Sequence, residues 1–128
     1  MVWVHLVVSF ALVQLLVFMV AVGKARDKFG VKAPATMGNE NFERYYRVQM
    51  NSIEMIVIFI PSILLASMYW SPFLMALLGL IYLIGRILYF YAYVGNKKRT
   101  TAFMMSFLPV IIFVVAAIVG SLRALIYA

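Results

Sequence analysis

Cysteine is absent from the 128-residue chain. That excludes a disulfide framework, a thiolate metal site and a cysteine nucleophile. The single histidine, His5, excludes a multi-histidine metal cluster within one chain, so no metal is expected. Acids are scarce, with four Asp/Glu against eleven Lys/Arg, and charged residues make up only 12% of the chain. A soluble domain carries ~25%. There is no low-complexity tract, no internal repeat and no sign of a second domain. What is abundant is apolar surface, at 66% of residues. A soluble domain this small has too much surface for its volume to hide that fraction. A soluble globular domain, a disordered chain and a secreted disulfide scaffold are therefore excluded. An integral membrane protein remains, with room for about four spans of ~20 residues.

Four apolar runs fit that expectation. The first, Val2 to Gly23, carries no charge and has no basic residue ahead of it. At 22 residues it is longer than the core of a signal peptide, and it reads as a retained span. The second, Ile53 to Tyr69, is short, but the polar segment Asn41 to Asn51 before it has helical spacing and no Pro or Gly. One long helix is expected there, starting in the headgroups and kinked at Pro61. The third, Pro72 to Tyr93, holds one charge, Arg86, and the fourth, Thr101 to Leu122, holds none. In hydrocarbon each backbone must satisfy its own hydrogen bonds. None of the runs alternates as a strand would. The expected fold is an all-α membrane four-helix bundle in a single domain, with spans at about 2–24, 43–69, 72–95 and 100–123.

Nine of the eleven Lys/Arg residues lie in or beside the first and third connections, leaving Arg86 and Arg123. The second connection, Trp70-Ser71-Pro72, has no charge. The positive-inside rule then puts loops one and three in the cytoplasm and both termini outside. A bacterial inner membrane and an endoplasmic reticulum both suit this topology. The net charge of +7 is explained by orientation and by contact with anionic lipid, and no nucleic-acid partner is expected. His5 and Arg123 read as interface residues of the outer side.

Charge inside a membrane is costly and marks a site or a structural network. Arg44, Arg47, Asn51 and Glu54 are spaced +3, +4 and +3, which places them within roughly an 80° arc of one helix. Tyr82, Arg86, Tyr89 and Tyr93 form a second stripe, on the third helix. A purely structural ion network is the plain alternative for any one of them, and tyrosines belong at membrane interfaces anyway. A structural network needs balanced charge, however, and this cluster has several arginines and one nearby acid. Arginine is the preferred fork for a carboxylate. Glu54 and Asn51 suit an ammonium group, while Gln49 and the tyrosine hydroxyls suit peptide amides. A zwitterionic peptide with two carboxylates fits this inventory, and glutathione is the commonest such molecule in cells. A guanidinium near its sulfur favours the thiolate, and Arg99 stands at the start of the fourth helix to supply one.

The run Glu43-Arg44-Tyr45-Tyr46-Arg47-Val48-Gln49-Met50-Asn51-Ser52-Ile53-Glu54 resembles the ER-x-x-R-x-x-x-N-x-x-E signature of the MAPEG family, the membrane-associated proteins in eicosanoid and glutathione metabolism. Gly79 to Tyr82 with Arg86 to Tyr93 resembles the family's third helix, and Lys97-Lys98-Arg99-Thr100 the entry to its fourth. The likeness is greatest to the branch of microsomal glutathione transferase type two and leukotriene-C synthase. It implies a four-helix bundle that assembles as a homotrimer, with glutathione held between protomers near the cytoplasmic face. Position by position, it implies glutathione contacts at Arg47, Gln49, Asn51, Glu54, Tyr89 and Tyr93. It also implies a carboxylate-holding role for Arg26 toward the adjoining subunit, support from Arg86, and thiolate stabilisation by Arg99. The pattern departs at Met55, where that branch has an aromatic residue after the acid, and at Asp27, where it has a second basic residue.

The activity implied is a membrane glutathione transferase, with glutathione as co-substrate and a lipophilic electrophile or lipid as second substrate. A peroxidase activity would use the same thiolate. Phe18, Phe103 and Phe107 could cradle the second substrate, although plain packing explains any one of them. Two further classes stay open. One is a non-catalytic lipid- or glutathione-binding scaffold of the same fold. The other is a small proton-coupled multidrug transporter using Glu54, although arginines beside that acid would repel a cationic drug.

Overall fold

The computed structural model describes residues 1–128. It is all-helical, with α1 Val2–Phe29, α2 Glu40–Tyr69, α3 Pro72–Val94 and α4 Thr100–Ile126. All four helices are long and apolar enough to cross a membrane, and the chain is a multi-pass integral membrane protein. Helix α2 takes up the polar segment from Glu40 onward and runs through Pro61 as one helix, as α4 does through Pro109.

Local chemistry sets the helix ends. Gly30 adopts φ 70 just past α1, a left-handed cap that costs glycine no steric strain. The Asn39 side chain accepts a hydrogen bond from the Phe42 N–H at 3.1 Å and starts α2. Ser71 caps α3 with Pro72 in its first turn, where a missing N–H is harmless. Only Trp70 and Ser71 separate α2 from α3, so the two must be antiparallel neighbours. The indole Nε1 of Trp70 donates to the Ala116 carbonyl at 2.8 Å and ties this connection to α4.

Helices α2 and α3 each touch all the others, whereas α1 and α4 do not meet. Their shared core is aromatic at its centre. Phe59 stacks on Tyr82 at 3.9 Å between ring centroids and lies 5.9 Å from Phe113, and all three are essentially inaccessible. Gly79 and Gly85 allow the close approaches: a Cβ at Gly85 would stand 2.8 Å from the Ser106 backbone nitrogen of α4. At the other end of the bundle Phe18 of α1 stacks on Phe90 of α3, and Tyr45 of α2 meets Phe90 edge-on. The C-terminal ends of α1 and α3 therefore share one end of the molecule with the start of α2.

Candidate functional site

The charged signature of α2 divides into an inner and an outer part. Arg47 and Glu54 form the chain's only salt bridge, Nη1 to Oε1 at 3.1 Å, with side chains 51% and 57% exposed. Asn51 lies between them in sequence and turns inward, where its Oδ1 accepts from Arg86 Nη1 at 2.7 Å. Arg86 is fully buried. It also donates to Ser106 Oγ of α4 at 2.9 Å and to Ser52 Oγ of α2 at 3.4 Å. One guanidinium thus joins three helices, and the only fork-shaped cation in the core has a partner on each side.

From Arg86 an unbroken stack leads to the loop-three end. Its guanidinium carbon lies 4.3 Å over the Tyr89 ring, Tyr89 is 5.4 Å from Tyr93, and the Arg99 guanidinium lies 4.0 Å over Tyr93. Exposure rises along the way: Tyr89 is buried, whereas Tyr93 and Arg99 are half-buried. Arg99 is the first residue before α4 and also donates to the Lys97 carbonyl. Its charge rests on an aromatic face that leaves the remaining N–H groups free for an anion.

Two expected site residues are not with this group. Arg26 of α1 donates from Nη1 to the Ala35 carbonyl at 2.7 Å and lies 4.8 Å over the Phe42 ring. Gln49 is half-buried on α2. At 100° per residue Gln49 and Phe42 fall within roughly 20° of each other, and Gln49 stands roughly 140–160° around the helix from Glu54, Arg47 and Asn51. Arg26 and Gln49 therefore share one flank of α2, and Arg47, Asn51 and Glu54 occupy the opposite one. Arg44 is turned toward Asn41, to whose Oδ1 it donates.

Several expectations need correction. Tyr82 and Arg86 are 1% and 0% exposed, so the α3 stripe is a core seam, with Tyr93 alone reaching the surface. Arg86 touches no surface of the protomer and acts through Asn51. Phe18 is buried with Val48 and Tyr89 and is core, whereas Phe103 and Phe107 are half-buried and stacked at 5.3 Å. Met55 lies in the main core, so its lack of an aromatic ring alters the interior and leaves the Arg47–Glu54 face unchanged. Sequence reasoning missed Ser106. It is the only hydroxyl or charge between Ala102 and Gly120, and a lone polar side chain in such a run is the signal that would have found it.

The profile of the MAPEG family matches residues 4–119. The chain belongs to the MAPEG family. Among its relatives, an uncharacterized protein of Synechocystis is 41% identical over 94% of this chain and 88% of its own length. Human microsomal glutathione S-transferase 2 is 43% identical over 70% of this chain and 61% of its own length. Bovine leukotriene C4 synthase is 35% identical over 66% of this chain and 57% of its own. The chain thus spans about three fifths of the length of these two enzymes. For a MAPEG chain the arrangement of charge is an exposed Arg47–Glu54 pair on one flank of α2, Arg26 and Gln49 on the other, and Arg99 above the tyrosines.

Proposed function

We propose that the protein is a glutathione transferase of the membrane, built as a closed ring of copies. The observation that carries this reading is the half-exposed Arg47–Glu54 pair on a membrane helix. An ion pair facing hydrocarbon is costly, so this flank calls for a polar cover. The opposite flank of α2 offers Arg26 and Gln49, which have no role with their own Arg47. A head-to-tail contact brings one flank of a copy against the other flank of the next, and such contacts close into rings when the rotation allows. The homotrimer implied by the family resemblance is the ring we propose.

In that assembly Arg47 and Arg26 of the next copy bind the two carboxylates of glutathione. Glu54 and Asn51 hold its ammonium group, and Gln49 and Tyr93 hold its amides. Tyr89 keeps Tyr93 in place, and Arg86 fixes Asn51. Arg99 stabilises the thiolate, which attacks an electrophile arriving from the bilayer, with Phe103 and Phe107 as its apolar rest. The sulfur forms the new bond, its proton having gone to solvent, and the electrophile's leaving group departs. The end of the bundle that carries these residues faces the cytoplasm, where basic residues collect. The names of the human and bovine relatives support the transferase reading. Glu54 as a proton carrier is disfavoured by its pairing with Arg47.

The test uses purified protein, glutathione and a chlorodinitrobenzene. Ultraviolet difference spectra should show bound thiolate at neutral pH, and conjugate should form. Arg99→Ala should abolish the thiolate signal and lower turnover by about 10²-fold or more, while calorimetric glutathione binding persists. A protein that binds no glutathione at millimolar concentration overturns the proposal.

A further inference from the structure

The side of the molecule away from Arg47 and Glu54 carries a second feature. Residues Phe10, Gln14, Val17, Ala21, Lys24 and Lys28 recur at +4, +3, +4, +3 and +4 along α1, one continuous stripe. The lower part of that stripe faces Leu80, Ile84, Ile87 and Tyr91 of α3 across an apolar groove of about 500 Å³. Its upper part, with Tyr45 and Phe29, lines a smaller hollow of about 160 Å³. The two adjoin: Tyr45 of the hollow packs edge-on against Phe90 of the groove, centroids 5.8 Å apart. Tyr45 stands roughly 160–180° around α2 from Arg47 and Glu54, so this face is distinct from the candidate glutathione site.

The dimensions match one lipid leaflet. Phe10 to Ala21 rises ~16 Å along the helix, about half of a ~30 Å hydrocarbon core. Lys24 and Lys28 are exposed at the open end without a carboxylate partner. The groove's single polar lining residue, Gln14, is occupied in the wall itself, donating from Nε2 to the Leu83 carbonyl at 2.9 Å. An apolar slot one leaflet deep with two ammonium groups at the headgroup level has the charge and shape of a phospholipid with an anionic head. From this we infer that the α1–α3 face is a binding site for one anionic phospholipid, its phosphate between Lys24 and Lys28 and an acyl chain in the groove down to Phe10. The inference does not depend on glutathione chemistry.

The full-length protein, stripped of lipid in mild detergent, would be titrated with phosphatidylglycerol and phosphatidylcholine of identical chains and read by native mass spectrometry. One phosphatidylglycerol per protomer should be retained about 10- to 30-fold more tightly than phosphatidylcholine, as expected for two lysines at a lipid surface. The Lys24→Gln/Lys28→Gln double variant should bring the two lipids within about twofold, whereas Lys97→Gln/Lys98→Gln should leave the preference intact. Ile84→Trp should evict both lipids, and free glycerol phosphate should not compete. Equal retention by the wild type, equal effects of the two lysine pairs, or an Ile84→Trp protein that keeps its lipid would overturn the site. So would efficient Ile84→Cys disulfide crosslinking between copies, which would make this face a protein interface. Monodisperse elution and an unchanged melting temperature in each variant separate lost lipid from lost fold.

Discussion

Arg86 illustrates how much a single buried cation can organise. Its charge is held by Asn51, Ser52 and Ser106 and by the ring of Tyr89. Removing one partner leaves a charged donor unsatisfied in the core, so Ser106→Ala should destabilise the fold by about 1.5–3 kcal/mol, seen as a lower melting temperature in detergent. Arg86→Lys should cost at least as much, because an ammonium cannot reach partners on both sides as a planar fork does. Arg86→Lys should also weaken glutathione binding through the freed Asn51, without changing a residue proposed to touch the ligand, whereas Ser106→Ala leaves the Arg86–Asn51 bond in place and should affect binding less. The sequence places Arg86 on a helical face but carries no record of which neighbour covers it. Spacing along one helix gives angles within that helix, and burial depends on the others.

At the level of helices, hydropathy and caps account for most of what is seen. The four spans, the start of α2 in a polar segment and the flank shared by Arg47, Asn51 and Glu54 all follow from local pattern. The separation of Gln49 and Arg26 from that flank follows from the same angles only once α1 is known to lie against Phe42. The seam between α3 and α4 depends on a contact no local pattern reveals. Gly85→Ala should force α4 backbone away from α3 and cost about 1–3 kcal/mol, lowering the temperature of unfolding and disturbing Arg86 as well. Asn39→Ala should cost about 1 kcal/mol through loss of the α2 cap, with little effect on the bundle interior. Comparing the two by thermal unfolding separates damage to a helix end from damage to a helix interface.

For the whole molecule the lack of cysteine is an experimental asset, since any introduced thiol is unique. Cysteines at Lys32 and Lys98 should label from the cytoplasmic side of intact vesicles, and one at Ser71 from the outer side, if the basic loops face inward. A covalent crosslinking ladder in mild detergent should end at three subunits. Assembly of this kind lies beyond single-chain pattern, because a ring contact joins residues whose own protomer gives them no reason to meet.

The two-residue link between α2 and α3 has a mechanical consequence. With Trp70 fastened to Ala116, three helices are pinned together at the end of the bundle away from Arg99, which leaves that end little freedom. Breathing of the bundle must then resemble tweezers: small displacement at the pivot, growing toward the tips where Tyr93 and Arg99 stand. Amide exchange should accordingly be slowest beside the pivot and quicken toward Gly95 and Lys97, the end at which the proposed ligand would enter.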